Sequence, residues 1–155
     1  METVGLGFYF EDLPLGRRFR TIGRTLTETD IVGFVNVTGM TEVLFINQEF
    51  LHGEGGFSGR LAPGALVYSL AEGLLLQATM QGTGMAFLGM QFEVKAPTFA
   101  GDTIHVECEV IEARASATRP GRGLVRTRNA IVNQRGVTVI EYTPLRMVKR
   151  RPEAA

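Results

Sequence analysis

Pro63 and Gly64 stand at the head of an apolar run that reaches Met80. Proline suits the first turn of a helix, where its missing N–H has no intrahelical partner. Gly64 then brings a bare backbone amide to the positive end of the helix dipole, an arrangement that receives an anion or a polarised carbonyl oxygen. Farther along the same run, Glu72 interrupts the apolar residues and shares a helical stripe with Ala65, Tyr68 and Ser69. A carboxylate there must find a partner, reach water or take up a proton. Either the stripe faces another subunit or a polar sheet edge, or it lines a cleft in which Glu72 can move protons. Glu42 and His52 are two further groups able to transfer a proton, and they precede or enter the glycine-rich stretch His52–Gly59. Solvated loop positions are their simpler reading, since polar residues are mostly exposed. His105 shares a polar strand face with Glu107 and Glu109, and Cys108 alternates into the core as an inert thiol. Arg119 and Arg122 flank a Pro-Gly turn, where they either solvate the turn or hold phosphates.

The elements that must position these groups follow from periodicity. From Gly64 to Met80 apolar residues fall on nearly every side, which predicts a long central helix buried all round. A membrane span is excluded, because Pro63 and Gly64 shorten the run and a carboxylate in mid-span costs about 2.5–3.5 kcal/mol. Thr27 with the acidic residues Glu28 and Asp30 starts an earlier helix that buries Ile31, Phe34 and Val35. Asn47 caps a short turn through Phe50, and the glycines after His52 require an irregular loop. Arg18–Leu26 reads as a strand. After the central helix only strand signals remain, over Ala86–Lys95, Thr103–Glu112, Leu124–Asn133 and Val137–Val148. The third and fourth of these join at the hairpin turn Asn133–Gly136. An antiparallel sheet wrapped around one buried helix is the simplest packing, an α+β fold.

The 155 residues suffice for one domain with a real core, here read as residues 1–155 with flexible ends over 1–8 and 150–155. Sixteen basic residues balance sixteen acidic ones, so neither nucleic acid nor an anionic membrane is called for as partner. The single cysteine excludes an internal disulfide, and Met1–Gly5 carries no basic stretch leading into an apolar one. A cytoplasmic protein is the expectation.

Five stretches, in order, carry a resemblance. They are Tyr9-Phe-Glu-Asp-Leu13 with Gly16; Arg24-Thr-Leu-Thr-Glu-Thr-Asp30 with Phe34, Thr38 and Gly39; Gly59-Arg-Leu-Ala-Pro-Gly64; Ala96-Pro97 with Ala100-Gly-Asp-Thr103; and Asn133-Gln134 with Gly136. Together they resemble the MaoC-like dehydratases, or (R)-specific enoyl-CoA hydratases, which have the hotdog fold. The resemblance implies a single hotdog unit around a central helix at about residues 64–80. It also implies a reaction, the addition of water to an enoyl thioester. In the family an Asp and a His on an overhanging segment hold that water, and the amide matching Gly64 receives the thioester oxygen.

The family's overhang motif runs Gly-Asp-x-Asn-Pro-x-His, whereas this chain reads Gly39-Met-Thr-Glu-Val-Leu-Phe45. Met40 and Phe45 replace the acid and the imidazole, and neither transfers protons. The expectation is therefore an acyl-thioester (enoyl-CoA) hydratase or dehydratase with a rearranged or lost site. In it Gly64 is the oxyanion donor and Glu72 the substitute proton-transfer group, with Met40, Glu42, Phe45, His52 and Pro63 around the substrate. One alternative is a non-catalytic acyl-CoA-binding subunit of a MaoC-like hetero-oligomer; another is a hotdog thioesterase using Glu72. No cofactor or metal is implied beyond the acyl thioester, carried on CoA or a carrier protein. The resemblance implies a homodimer or dimer of dimers, or a pair with another MaoC-like chain.

Overall fold

Alternating burial along Thr103–Ala115 and Arg122–Asn133 makes these the two central strands of the fold. The computed structural model describes residues 1–152. Its elements are β1 (Arg18–Arg20), β2 (Arg24–Thr25), α1 (Glu28–Thr38), α2 (Val43–Ile46), α3 (Gln48–His52), α4 (Gly64–Thr79), β3 (Gly84–Gly89), β4 (Phe92–Val94), β5 (Thr103–Ala115), β6 (Arg122–Asn133), β7 (Thr138–Tyr142) and β8 (Leu145–Lys149). Every pairing is antiparallel, and the sheet runs β1-β5-β6-β7-β4, with β2 also on β5 and β8 bridging β6 and β3. The strand expected over Val137–Val148 is broken at Thr143–Pro144 into β7 and β8, because proline has no N–H for the ladder. Its neighbour breaks alongside it, between β3 and β4, where the Thr143 N–H donates to the Gln91 carbonyl at 3.0 Å. Arg18–Leu26 is likewise two short strands, separated where the Thr21 hydroxyl takes over a ladder position and accepts from the Val106 N–H at 3.0 Å.

Ile104, Val106, Cys108 and Val110 point inward from β5, as alternation predicts; Val110 packs with Leu13, Val125 and Val148, while the first three meet the buried face of α4. Leu66, Val67, Ala71 and Leu75 supply that face. Burying each leucine or valine among them stabilises the fold by about 1.5–3 kcal/mol. The caps are as read from sequence. The Thr27 hydroxyl accepts from the Asp30 N–H, the Asp30 carboxylate accepts from the Thr27 N–H, and the Asn47 side chain accepts from the Phe50 N–H.

One expectation fails. The central helix is not buried all round in the single chain: Ala65, Ser69, Gly73, Leu76 and Gln77 are exposed. The sheet covers one side only, and the small residues on the other side leave an open face. Parts of both chain ends bond to the body of the fold. Gly7 and Phe8 donate to the Gln81 and Thr79 carbonyls, both at 2.7 Å, and so complete the C-terminal end of α4. A Cβ on Gly7 would lie 2.2 Å from the Thr79 oxygen, so this approach requires glycine. At the other end Arg150 reaches Glu11 at 3.0 Å and Arg151 reaches Asp12 at 2.6 Å; the last three residues of the expected flexible tail lie outside the described ones. No helix among the described residues is long and apolar enough to cross a membrane.

Candidate functional site

The carbonyl of Pro63 accepts from the Leu66 and Val67 N–H groups at 2.9 and 3.1 Å, which starts α4 and leaves the Gly64 amide ahead of the first helical bond. Pro63 is therefore the cap, one position before the first-turn place expected for it, and it has no side-chain group to satisfy that amide. In front of Gly64 lies a hollow of about 410 Å³. Phe45, Phe57, Leu61, Val67, Val94 and Ile140 make it largely apolar. Phe57 is braced edge-on by Phe99, with ring centroids 6.2 Å apart. The floor is fixed from below, where the Ala62 N–H donates to the Thr98 carbonyl at 2.9 Å and the Lys95 N–H to the Val139 carbonyl at 2.8 Å.

Among the described residues lining the hollow, Lys95 is the one ionisable side chain. Its ammonium lies 3.1 Å from the Glu93 carboxylate in a largely exposed pair, which contributes about 0–1 kcal/mol and leaves the cation available. No carboxylate or imidazole lines the hollow among the described residues. The site can thus donate a hydrogen bond to a carbonyl oxygen and exclude water from an apolar chain. Among its described lining residues there is no carboxylate or imidazole to shuttle protons near neutral pH.

The residues expected to act here divide. Gly64 and Phe45 line the hollow, and Phe45 is only 8% exposed. Met40 lies outside it on the exposed turn after α1, and Glu42 is exposed at the start of α2. His52 ends α3, where its Nδ1 lies 2.7 Å from the Phe57 carbonyl. A carbonyl can only accept, so Nδ1 carries the hydrogen in that contact.

Glu72 does not face the hollow. Its carboxylate accepts from the Tyr142 hydroxyl at 2.7 Å and pairs with the Arg146 guanidinium in the interior. It sits two helical turns, about 12 Å, along α4 from Gly64. Spacing by three residues leaves about 60° between Ser69 and Glu72 around the helix, enough to carry Glu72 from the open face onto the packed one. That placement does not suit it to transfer protons at Gly64. Burial, together with the Glu72 charge, raises the Tyr142 hydroxyl well above its usual range, and the same two causes push the Cys108 thiol up to about 12. Tyr68 packs edge-on against both Tyr142 and Phe92, at 5.2 and 5.6 Å between ring centroids, linking the buried pair to the sheet edge.

Sequence reasoning missed Phe57, Leu61, Val94 and Lys95 as hollow-lining residues, and Arg60 behind them. Only Arg60 carried a signal, its place just ahead of Pro63. A single unit also leaves a free sheet edge. Among the described residues β3 pairs only with β8 and β4 only with β7, and Met85, Phe87, Leu88, Phe92 and Val94 are exposed there.

The model of the family described as MaoC like domain matches residues 12–132. A 3-hydroxybutyryl-CoA dehydratase from Methylorubrum extorquens is 28% identical over 104 residues, which cover 67% of this chain and 64% of that protein, less than two thirds of its length. An Archaeoglobus protein described as a monoamine oxidase regulatory protein superposes with a TM-score of 0.81 at 30% identity, covering 94% of this chain and 97% of the other. A Mycobacterium tuberculosis protein described as having a double hotdog fold superposes with a TM-score of 0.87 at 26% identity. That match takes in 99% of this chain but only 47% of the other, so this chain corresponds to about half of that double structure.

Proposed function

Since the chain belongs to the MaoC-like family and has the hotdog fold, we propose that it is the acyl-holding unit of a hydratase or dehydratase acting on an acyl thioester such as enoyl-CoA. The proton-transfer groups come from a second MaoC-like unit. One observation carries this reading: Gly64, with its bare helix-start amide, lines an apolar hollow that has neither carboxylate nor imidazole among its described lining residues. The Gly64 N–H donates to the thioester oxygen. That bond strengthens as the oxygen gains charge during addition of water to, or loss of water from, the acyl chain. Phe45, Phe57 and Leu61 keep the chain dry. The unpaired β3 and β4 edge and the open face of α4 support docking of a second unit, since an exposed apolar edge strand is otherwise a hazard. The relative named as a 3-hydroxybutyryl-CoA dehydratase favours a short acyl chain. Thioester hydrolysis draws no comparable support, because the carboxylate it needs is committed to Arg146 and Tyr142.

The test is equilibrium binding of crotonyl-CoA to the chain alone, together with loss of enoyl absorbance. Binding without turnover is expected. Gly64→Pro deletes the proposed donor at a position where proline is tolerated, and Pro63 already has the extended backbone that a following proline requires. It should weaken binding about 3–12-fold, the value of one hydrogen bond. Full hydratase turnover by the chain alone, or unchanged affinity in Gly64→Pro, would overturn the reading.

A further inference from the structure

Resting on the function proposed above, we infer that Arg60 is a positioning residue: it clamps Phe45 into the wall of the hollow and so sets the size of the acyl group admitted. Its Nη1 donates to the Phe45 carbonyl at 2.6 Å, and its Nε donates to the Glu28 carboxylate at 2.8 and 3.0 Å. One side chain thus joins the first turn of α1, the overhanging α2 and the run into α4. The need for such a clamp is local. A helix of one turn has no stability of its own, and its last carbonyls lack intrahelical partners. In α2 both Val43 and Ile46 are exposed, leaving Phe45 as its one buried residue. A buried ring, the half-buried Leu44 and a guanidinium therefore hold α2 in place, and the ring is itself a wall of the hollow. The Arg60 side chain is 16% exposed against 52% for Glu28, so the contact is shielded on the arginine side and open to solvent on the other. Glu28 is the acidic partner that keeps the guanidinium aimed.

Arg60→Met, Arg60→Lys and Glu28→Gln test this with two readouts. Hydrogen exchange is followed at the Phe45, Ile46 and Asn47 amides, whose bonds to Glu42 and Val43 define α2. Dissociation constants are measured for butyryl-CoA and octanoyl-CoA. Arg60→Met should speed exchange in α2 on the order of tenfold to a hundredfold, the loss of one charge-assisted hydrogen bond, without changing exchange in the core of α4. The ratio of the two dissociation constants should shift about tenfold or more toward the longer chain as the wall gives way. Arg60→Lys, which keeps the charge but not the fork, should recover part of both effects. Glu28→Gln should move both in the same direction by less. A parallel fall in both affinities at a constant ratio is what a merely structural residue would give, and it would overturn the inference, as would unchanged exchange in α2. Should the unmodified chain bind neither thioester, the functional reading falls by itself. The clamp is then decided by exchange alone, faster exchange supporting it and unchanged exchange sinking it.

Discussion

Replacing Glu72 by leucine separates the structural role of this carboxylate from a catalytic one. The side chain is 8% exposed, its partners Arg146 and Tyr142 are 7% and 1% exposed, and the Arg146 Nε already lacks a partner among the described residues. Glu72→Leu therefore leaves a buried cation uncompensated, at a cost of about 3–5 kcal/mol. It also strands the Tyr142 hydroxyl, worth about 1–3 kcal/mol. The two losses overlap, because one carboxylate serves both groups, and about 4–6 kcal/mol is expected in total. For a domain of this size that lowers Tm by roughly 8–24 °C, a large share of a typical stability of about 5–15 kcal/mol. Adding Arg146→Met removes the stranded charge and should restore most of the loss, since buried pairs replaced by apolar residues are often neutral. Urea melts of the wild type, both single variants and the double variant close the cycle, with enoyl-thioester turnover measured on each. A Glu72→Leu protein that melts like the wild type but loses a measurable turnover would refute the placement argument and return Glu72 to a proton-transfer role.

Other expectations are more local. Phe45→His puts an imidazole in the wall of the hollow, where the family resemblance implies a missing base; hydration of crotonyl-CoA should rise about 10²–10⁴-fold, and a folded, ligand-binding variant with no gain would count against that alignment. Cys108 is 3% exposed with its thiol pushed up to about 12 by burial first and then by the Glu72 charge, so a thiol reagent at pH 8 should leave the native protein unlabelled and react fully in denaturant. Hydrogen bonding from the Thr27 N–H, with help from the Thr27 hydroxyl and Arg24, holds the Asp30 carboxyl below its usual range. Because the folded value is depressed, its stabilisation is full above the ordinary aspartate value of about 3.9 and disappears as pH falls through the lower folded value. The gap in stability between wild type and Asp30→Ala, about 1 kcal/mol near neutrality, should close in that acidic window; a gap independent of pH would show that the charge contributes nothing.

What could be read along the chain was whatever neighbours in sequence decide. The apolar run from Gly64 fixed a helix, alternation over Thr103–Glu112 fixed a strand with Cys108 inward, and Thr27, Asn47 and Asn133 announced two caps and a hairpin. Each depends on backbone periodicity or on a side chain bonding to an amide within four residues. The family pattern lies at the same level, and the resemblance implies that Met40 and Phe45 stand where the family has its proton carriers.

Tertiary packing decided what stands opposite each residue. Helical spacing placed Glu72 on a stripe but not against Tyr142 and Arg146, which are 70 and 74 residues away. The partner of a buried charge is chosen by how the sheet closes over the helix, and no local period encodes that. For the same reason the stretch Gly59–Gly64 gave Arg60 a place in the family pattern but not its partners, the Glu28 carboxylate and the Phe45 carbonyl. The hollow itself exists only because α2, the loop at Phe57, the start of α4, the end of β4 and β7 converge, segments whose residues carry no common signature in the chain.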